Sequence, residues 1–160
     1  MSGEERALLV GDNPFHGISH LSQERSRVRG ASLTNPEYAA DLVSLSMENG
    51  ANGFMFSVSE TTLSILEILR EKEVISRLDL YAIVPYAYEY VRFASQMGGI
   101  PLLAKRLVKE ILISGNLRAA GIGLKGLLKT DLEAIAKTYL LYEILRVRSF
   151  AGKKARLSFV

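Results

Sequence analysis

The sequence has no cysteine. Disulfides and thiolate chemistry are therefore excluded, and the composition suits a reducing, cytoplasmic setting. No apolar run is long enough to cross a bilayer as a helix, so a membrane is not an expected partner. The first residues, Met1-Ser2-Gly3-Glu4-Glu5-Arg6, lack the basic-then-apolar layout of a signal peptide. Histidine is scarce: His16 and His20 are the only two. There is also no block of five or more basic residues, although the net charge is +3. Residues 1–99 hold 8 Lys/Arg against 13 Asp/Glu, a balance of −5, whereas residues 100–160 hold 12 against 4, a balance of +8. Such a gradient can mark a nucleic-acid surface. Without a basic block, solvated helix faces are the plainer reading, and nucleic acid is not the expected partner.

What is present reads as an α/β protein. The 160 residues are 48% hydrophobic and 23% charged, enough for one domain over 1–160 with a real core. Leu8-Leu9-Val10 is a short apolar run closed by Gly11, the pattern of a buried strand. Asn13-Pro14 then turns the chain, because the residue before proline is kept out of the helical region. A long polar connection follows to Thr34, with a short charged helix expected over 22–29. Asn35-Pro36-Glu37 starts a helix with Ala39, Leu42, Val43 and Met47 on one face, and Asn49-Gly50 ends it. Gly53 to Val58 is a second strand, apolar on both faces. Ser59 caps the next helix, whose buried stripe is Leu63, Leu66 and Leu69. Leu80 to Val84 is a third strand, stopped by Pro85.

Strand, helix, strand, helix, strand is the signature of βαβ units and a parallel sheet. Residues 1–90 thus form a regular βαβαβ core, 91–154 are mainly helical, and 155–160 hold a fourth strand, Arg156 to Val160. In the helical part, segments are expected over 86–96 and from Pro101 to Ser114. Thr130-Asp131-Leu132-Glu133 is a capping box opening a helix through Leu132, Ile135, Ala136, Tyr139, Leu140 and Val147. Gly121-Ile122-Gly123-Leu124-Lys125-Gly126 has the glycine spacing of a dinucleotide fingerprint. Its context is wrong, because it follows a poor strand and no acid ends a second strand downstream.

The run Gly11-Asp12-Asn13-Pro14-Phe15-His16-Gly17-Ile18-Ser19-His20-Leu21-Ser22-Gln23-Glu24-Arg25 resembles the N-terminus of an uncharacterised family of archaeal (β/α)-barrel proteins. The resemblance covers about the first ninety residues and implies the N-terminal half of a TIM (β/α)8 barrel. The family has no settled activity, so a fold and a site position are implied, not a chemistry. Four strands cannot close a barrel, which takes about eight. Self-association into a homo-oligomer, or a missing second half, is the favoured consequence; the alternative is that helices from 101–150 cover the inner face. The inner sheet face is expected to carry Leu9, Met55 or Phe56, and Ile83.

In parallel α/β folds, functional groups gather at the carboxyl ends of the strands. Asp12, His16 and Glu60 each follow a strand by a few residues and are the candidates for proton transfer. Asn13, His20, Ser57 and Tyr86 are the candidates for holding a ligand. Each has a plainer reading: Asp12 as a turn residue bonding its own backbone, Glu60 as favourable charge at a helix start, Tyr86 as a packing aromatic. His16 and His20 are spaced i, i+4, which on a helix can present two imidazoles to a metal, but no acid lies between them. The metal question stays open and no cofactor is specified. Two functions are compatible with the pattern. One is an enzyme, or enzyme fragment, acting on a small polar substrate by general acid–base chemistry. The other is a non-catalytic binding or assembly protein using its basic C-terminal half.

Overall fold

The computed structural model describes residues 7–18, 34–84, 121 and 132–160. The chain forms two compact units, Met1–Ile83 with Val147–Val160, and Val84–Arg146. The first holds a four-stranded sheet: β1 (Leu9–Gly11), β2 (Gly53–Ser57), β3 (Asp79–Ile83) and β4 (Arg156–Phe159). All neighbours are parallel and the order is β1-β2-β3-β4, as the alternating sequence pattern requires. Helices α1 (Pro36–Glu48) and α2 (Glu60–Glu71) connect the first three strands. The last turns of α3 (Leu132–Ala151) lead into β4.

The register sorts the strand residues onto two unlike faces. Val10, Phe54, Leu80 and Leu157 are paired neighbours on one face, followed there by Phe56, Ala82 and Phe159. Phe54, Phe56, Leu80 and Ala82 are fully buried. So are Ala39, Ala40 and Val43 of α1 and Leu63, Ile65, Leu66 and Leu69 of α2. Each such Leu or Phe stabilises the fold by about 1.5–3 kcal/mol. The other face carries Leu9, Met55, Tyr81 and Ile83, all half-buried, with Asp79, Arg156 and Ser158. Met55, not Phe56, is therefore the residue that shares a face with Leu9. Gly53 sits low on this face because a Cβ there would stand 3.1 Å from the Asp79 carbonyl and run into the Leu9 side chain.

Several local expectations need correction. Leu8 precedes β1 and is 57% exposed, and Leu9 and Val10 are only half-buried. Among the described residues β1 is a three-residue edge strand with a neighbour on one side only, so it buries less than a central strand. The second strand is apolar on both faces as expected, with Met55 half-buried and Phe54 and Phe56 fully buried. In α1, Ala40 is buried whereas Leu42 and Met47 are half-buried. The helix turns its small residues inward, which allows a close approach to its neighbours.

The caps follow the sequence closely. Asn35 Oδ1 accepts the Glu37 and Tyr38 N–H groups, with Pro36 in the first turn. Gly50, at φ 96°, ends α1. Ser59 and Thr62 form a reciprocal capping box on α2. At the far end of α2, Glu73 takes a left-handed φ of 57°, a place where glycine is the usual choice.

Of the second unit, the described residues are Val84, Gly121 and α3 as far as Arg146. Gly121 is helical, and the rest of its glycine cluster lies outside the described residues. Tyr139 of the expected stripe is buried, and so are the polar Thr138 and Glu143. The helices expected over 22–29, 86–96 and 101–114 also lie outside the described residues.

Candidate functional site

The site is built where β1 runs out. Asp12 follows Gly11 directly, and Asn13–His16 make one 3-10 turn with Pro14 in its first positions. Phe15 anchors that turn: it is buried, with its ring 6.2 Å from that of Phe54. Gly17, at φ 68°, closes the turn, and its N–H donates to the Pro14 carbonyl at 3.1 Å. A tight turn with its aromatic pinned brings His16 back over Asp12. The His16 Nε2–H donates to Asp12 Oδ2 at 3.2 Å.

The same carboxylate oxygen accepts the backbone N–H of Ser57 at 2.7 Å, in a buried bond across 45 residues of sequence. Asp12 therefore ties the ends of β1 and β2 together and orients an imidazole. Its side chain is 7% exposed and that of His16 23%, so the pair is sheltered on the carboxylate side and open on the imidazole side. The Ser57 carbonyl in turn accepts the Thr62 hydroxyl at 2.6 Å. Thr62 is fully buried and also takes the Ser59 N–H at 3.0 Å. The peptide holding Asp12 is thus fixed from both sides, from β1 by a carboxylate and from α2 by a hydroxyl. Buried bonds of this kind hold one geometry, because an unmade bond there costs its full desolvation penalty.

Of the residues singled out in the sequence, Asp12, His16 and Ser57 meet. The Asp12 carboxylate bonds a side chain of its own turn, His16, and a backbone N–H of β2, Ser57. Glu60 lies at the same end of the sheet, on the first turn of α2, and is exposed. Asn13 is exposed in the 3-10 turn beside Asp12. His20 and Tyr86 lie outside the described residues. Among the described residues, no three of His, Cys, Asp or Glu come together as a metal cluster. Thr62 is the member that sequence reasoning missed. Its signal is the spacing Ser59-x-x-Thr62, which places a second hydroxyl one turn from the cap.

The pair can do acid–base chemistry. A carboxylate on one ring nitrogen fixes the imidazole orientation and the tautomer it presents. With Nε2 committed to Asp12, Nδ1 is the nitrogen left to take or give a proton. No protein-family model matches the chain, and neither a curated protein nor a solved structure shows significant similarity to it.

Proposed function

We propose that the chain is an acid–base enzyme, or part of one, acting on a small polar substrate at the carboxyl ends of its strands. In this reading it acts in the cytoplasm and is built like the first half of a (β/α)8 barrel. The observation that carries the reading is the buried Asp12 carboxylate holding His16 Nε2 at 3.2 Å. His16 Nδ1 is the proton-transfer atom and Asp12 the residue that orients the ring. Asn13 and Glu60, exposed at the same end, hold polar groups of the substrate. The strand order and the common direction of all four strands support the half-barrel architecture.

A second reading rests on the bond from Ser57 N–H to Asp12: the carboxylate is a structural tie between two strands. One experiment separates them. Exchange of carbon-bound protons next to a carbonyl is followed by NMR in heavy water for a panel of small keto and hydroxy acids. The wild type accelerates exchange for at least one, and His16→Gln lowers that rate by about 100-fold or more, the range of a positioned acid–base group. Asp12→Asn keeps an acceptor at the oxygen shared by Ser57 and His16 and so keeps the melting temperature, while removing the charge beside the ring and lowering the exchange rate. If no substrate responds, or His16→Gln exchanges as fast as wild type, the enzyme reading is lost and the structural tie stands.

A further inference from the structure

A cavity of about 370 Å³ lies at the opposite end of the sheet from Asp12. It opens where α2 ends and where the turn after α3 enters β4, so every residue lining it belongs to the first compact unit. Its floor is apolar: Ile75 and Ala151 line it and are buried. Its rim is charged. Lys153 and Lys154 stand on one side, on the turn that Gly152 allows at φ 79°. Glu73 and Ser76 contribute acceptors. Arg70 also lines the cavity but is already committed, donating to the Ser149 and Phe150 carbonyls and to Glu67.

The remaining charges are not spent on one another. Among the described residues, neither Lys153 nor Lys154 forms an ion pair with Glu73, although all three border the same space. The Ser76 hydroxyl gives its proton to the Glu73 carbonyl at 3.3 Å, which leaves its oxygen as an acceptor toward the cavity. A small cavity with an apolar floor and a few polar groups at its rim is the usual form of a ligand site. Two ammonium groups suit a phosphate as point charges. A carboxylate and a hydroxyl oxygen suit hydroxyl donors.

We infer that this cavity binds a small phosphate ester bearing hydroxyl groups. The lysines take the phosphate, Glu73 and Ser76 take the hydroxyls, and the carbon skeleton lies on Ile75 and Ala151. The site is separate from the Asp12–His16 pair and stands whether or not that pair is catalytic.

The test is titration with inorganic phosphate and with glycerol phosphate, read by amide chemical shifts and calorimetry on the full chain. Glycerol phosphate binds saturably and shifts residues 70–76 and 151–154. It binds about tenfold more tightly than inorganic phosphate, one or two hydrogen bonds' worth. Lys153→Gln with Lys154→Gln weakens both probes by about tenfold or more, since exposed lysines change affinity without disturbing the fold. Glu73→Gln reduces the preference for the ester and leaves phosphate affinity equal or higher. The inference is overturned by absent saturation, by shifts that map to Asp12 and His16 instead, by a double variant that binds as wild type, or by equal affinity for the two probes.

Discussion

The carboxyl and amino ends of the sheet are closed by different chemistry. At the carboxyl end, Asp12, Ser57 and Thr62 are all buried, and their bonds run from side chain to backbone across separate elements. At the amino end, the ties are exposed or only part-buried. Arg156 Nε meets Asp79 Oδ1 at 2.9 Å where β3 and β4 begin to pair, and both side chains are more than a third exposed. Lys72 reaches Asp41 between α1 and α2, again at the surface. Arg70 spans from α2 to the last carbonyls of α3. Buried polar bonds fix atoms, because breaking one strands a desolvated group. Exposed ion pairs contribute little and leave side chains free to rearrange. The first arrangement suits a group that must hold one orientation, and the second suits lysines that wait for an anion.

The largest effect that tests this contrast comes from Asp12→Ala. It removes the acceptor from a buried N–H and leaves a small void, for an expected loss of about 2 kcal/mol in urea unfolding. Arg156→Ala is the matched change at the other end, and its expected cost stays within about 0.5 kcal/mol. Equal losses at the two ends would erase the distinction between them.

How much of this was legible in the sequence depends on the range of the interaction. The strands, their parallel order and the caps at Asn35, Ser59 and Gly50 follow from local patterns, because cap chemistry and strand composition act within a few residues. His16 over Asp12 was within reach for the same reason, being one turn apart. The partnership of Asp12 with Ser57 was not, since it spans 45 residues and depends on the register of β1 against β2. The choice between Met55 and Phe56 stayed open because both are apolar, and only the register shows that Met55 shares a face with Leu9. No local pattern in the sequence marks Lys153 and Lys154 as lining a cavity. Only the ends of α2 and α3, brought together by Arg70, give them a cavity to line.

A smaller effect sharpens the account of the amino end. Gly152 has φ 79°, and a Cβ there would stand 3.1 Å from Arg70 Cδ. That neighbour is a flexible side chain and can give way, so the conformational cost dominates. Gly152→Ala is expected to lose about 1 kcal/mol. Circular dichroism during urea unfolding measures it. The shift of Arg70 should also weaken its bonds to Ser149 and Phe150, visible as faster amide exchange in the last turn of α3. A neutral result would mean that this turn is loosely held and contributes nothing to shaping the cavity.

The smallest effect has the opposite sign. Glu73 follows α2 in the left-handed region, with its N–H on the Arg70 carbonyl at 3.0 Å and the Val74 N–H on that of Leu69 at 2.9 Å. These two bonds are the glycine-type helix ending, made here by a residue with a side chain. A side chain in that conformation costs about 1 kcal/mol or somewhat more. Glycine would relieve it but would also give the unfolded chain more freedom, returning about 0.5 kcal/mol of the gain. Glu73→Gly should therefore raise stability by about 0.5 kcal/mol, a small upward shift of the urea midpoint with unchanged slope. The same variant removes the carboxylate from the cavity and so should lose the preference for glycerol phosphate over inorganic phosphate. A chain that is steadier without Glu73 and binds the ester less well would show that the strain at this position is retained for the ligand. A chain that is steadier and binds both probes as before would leave Glu73 a merely unfavourable cap, and the amino end a surface without a purpose of its own.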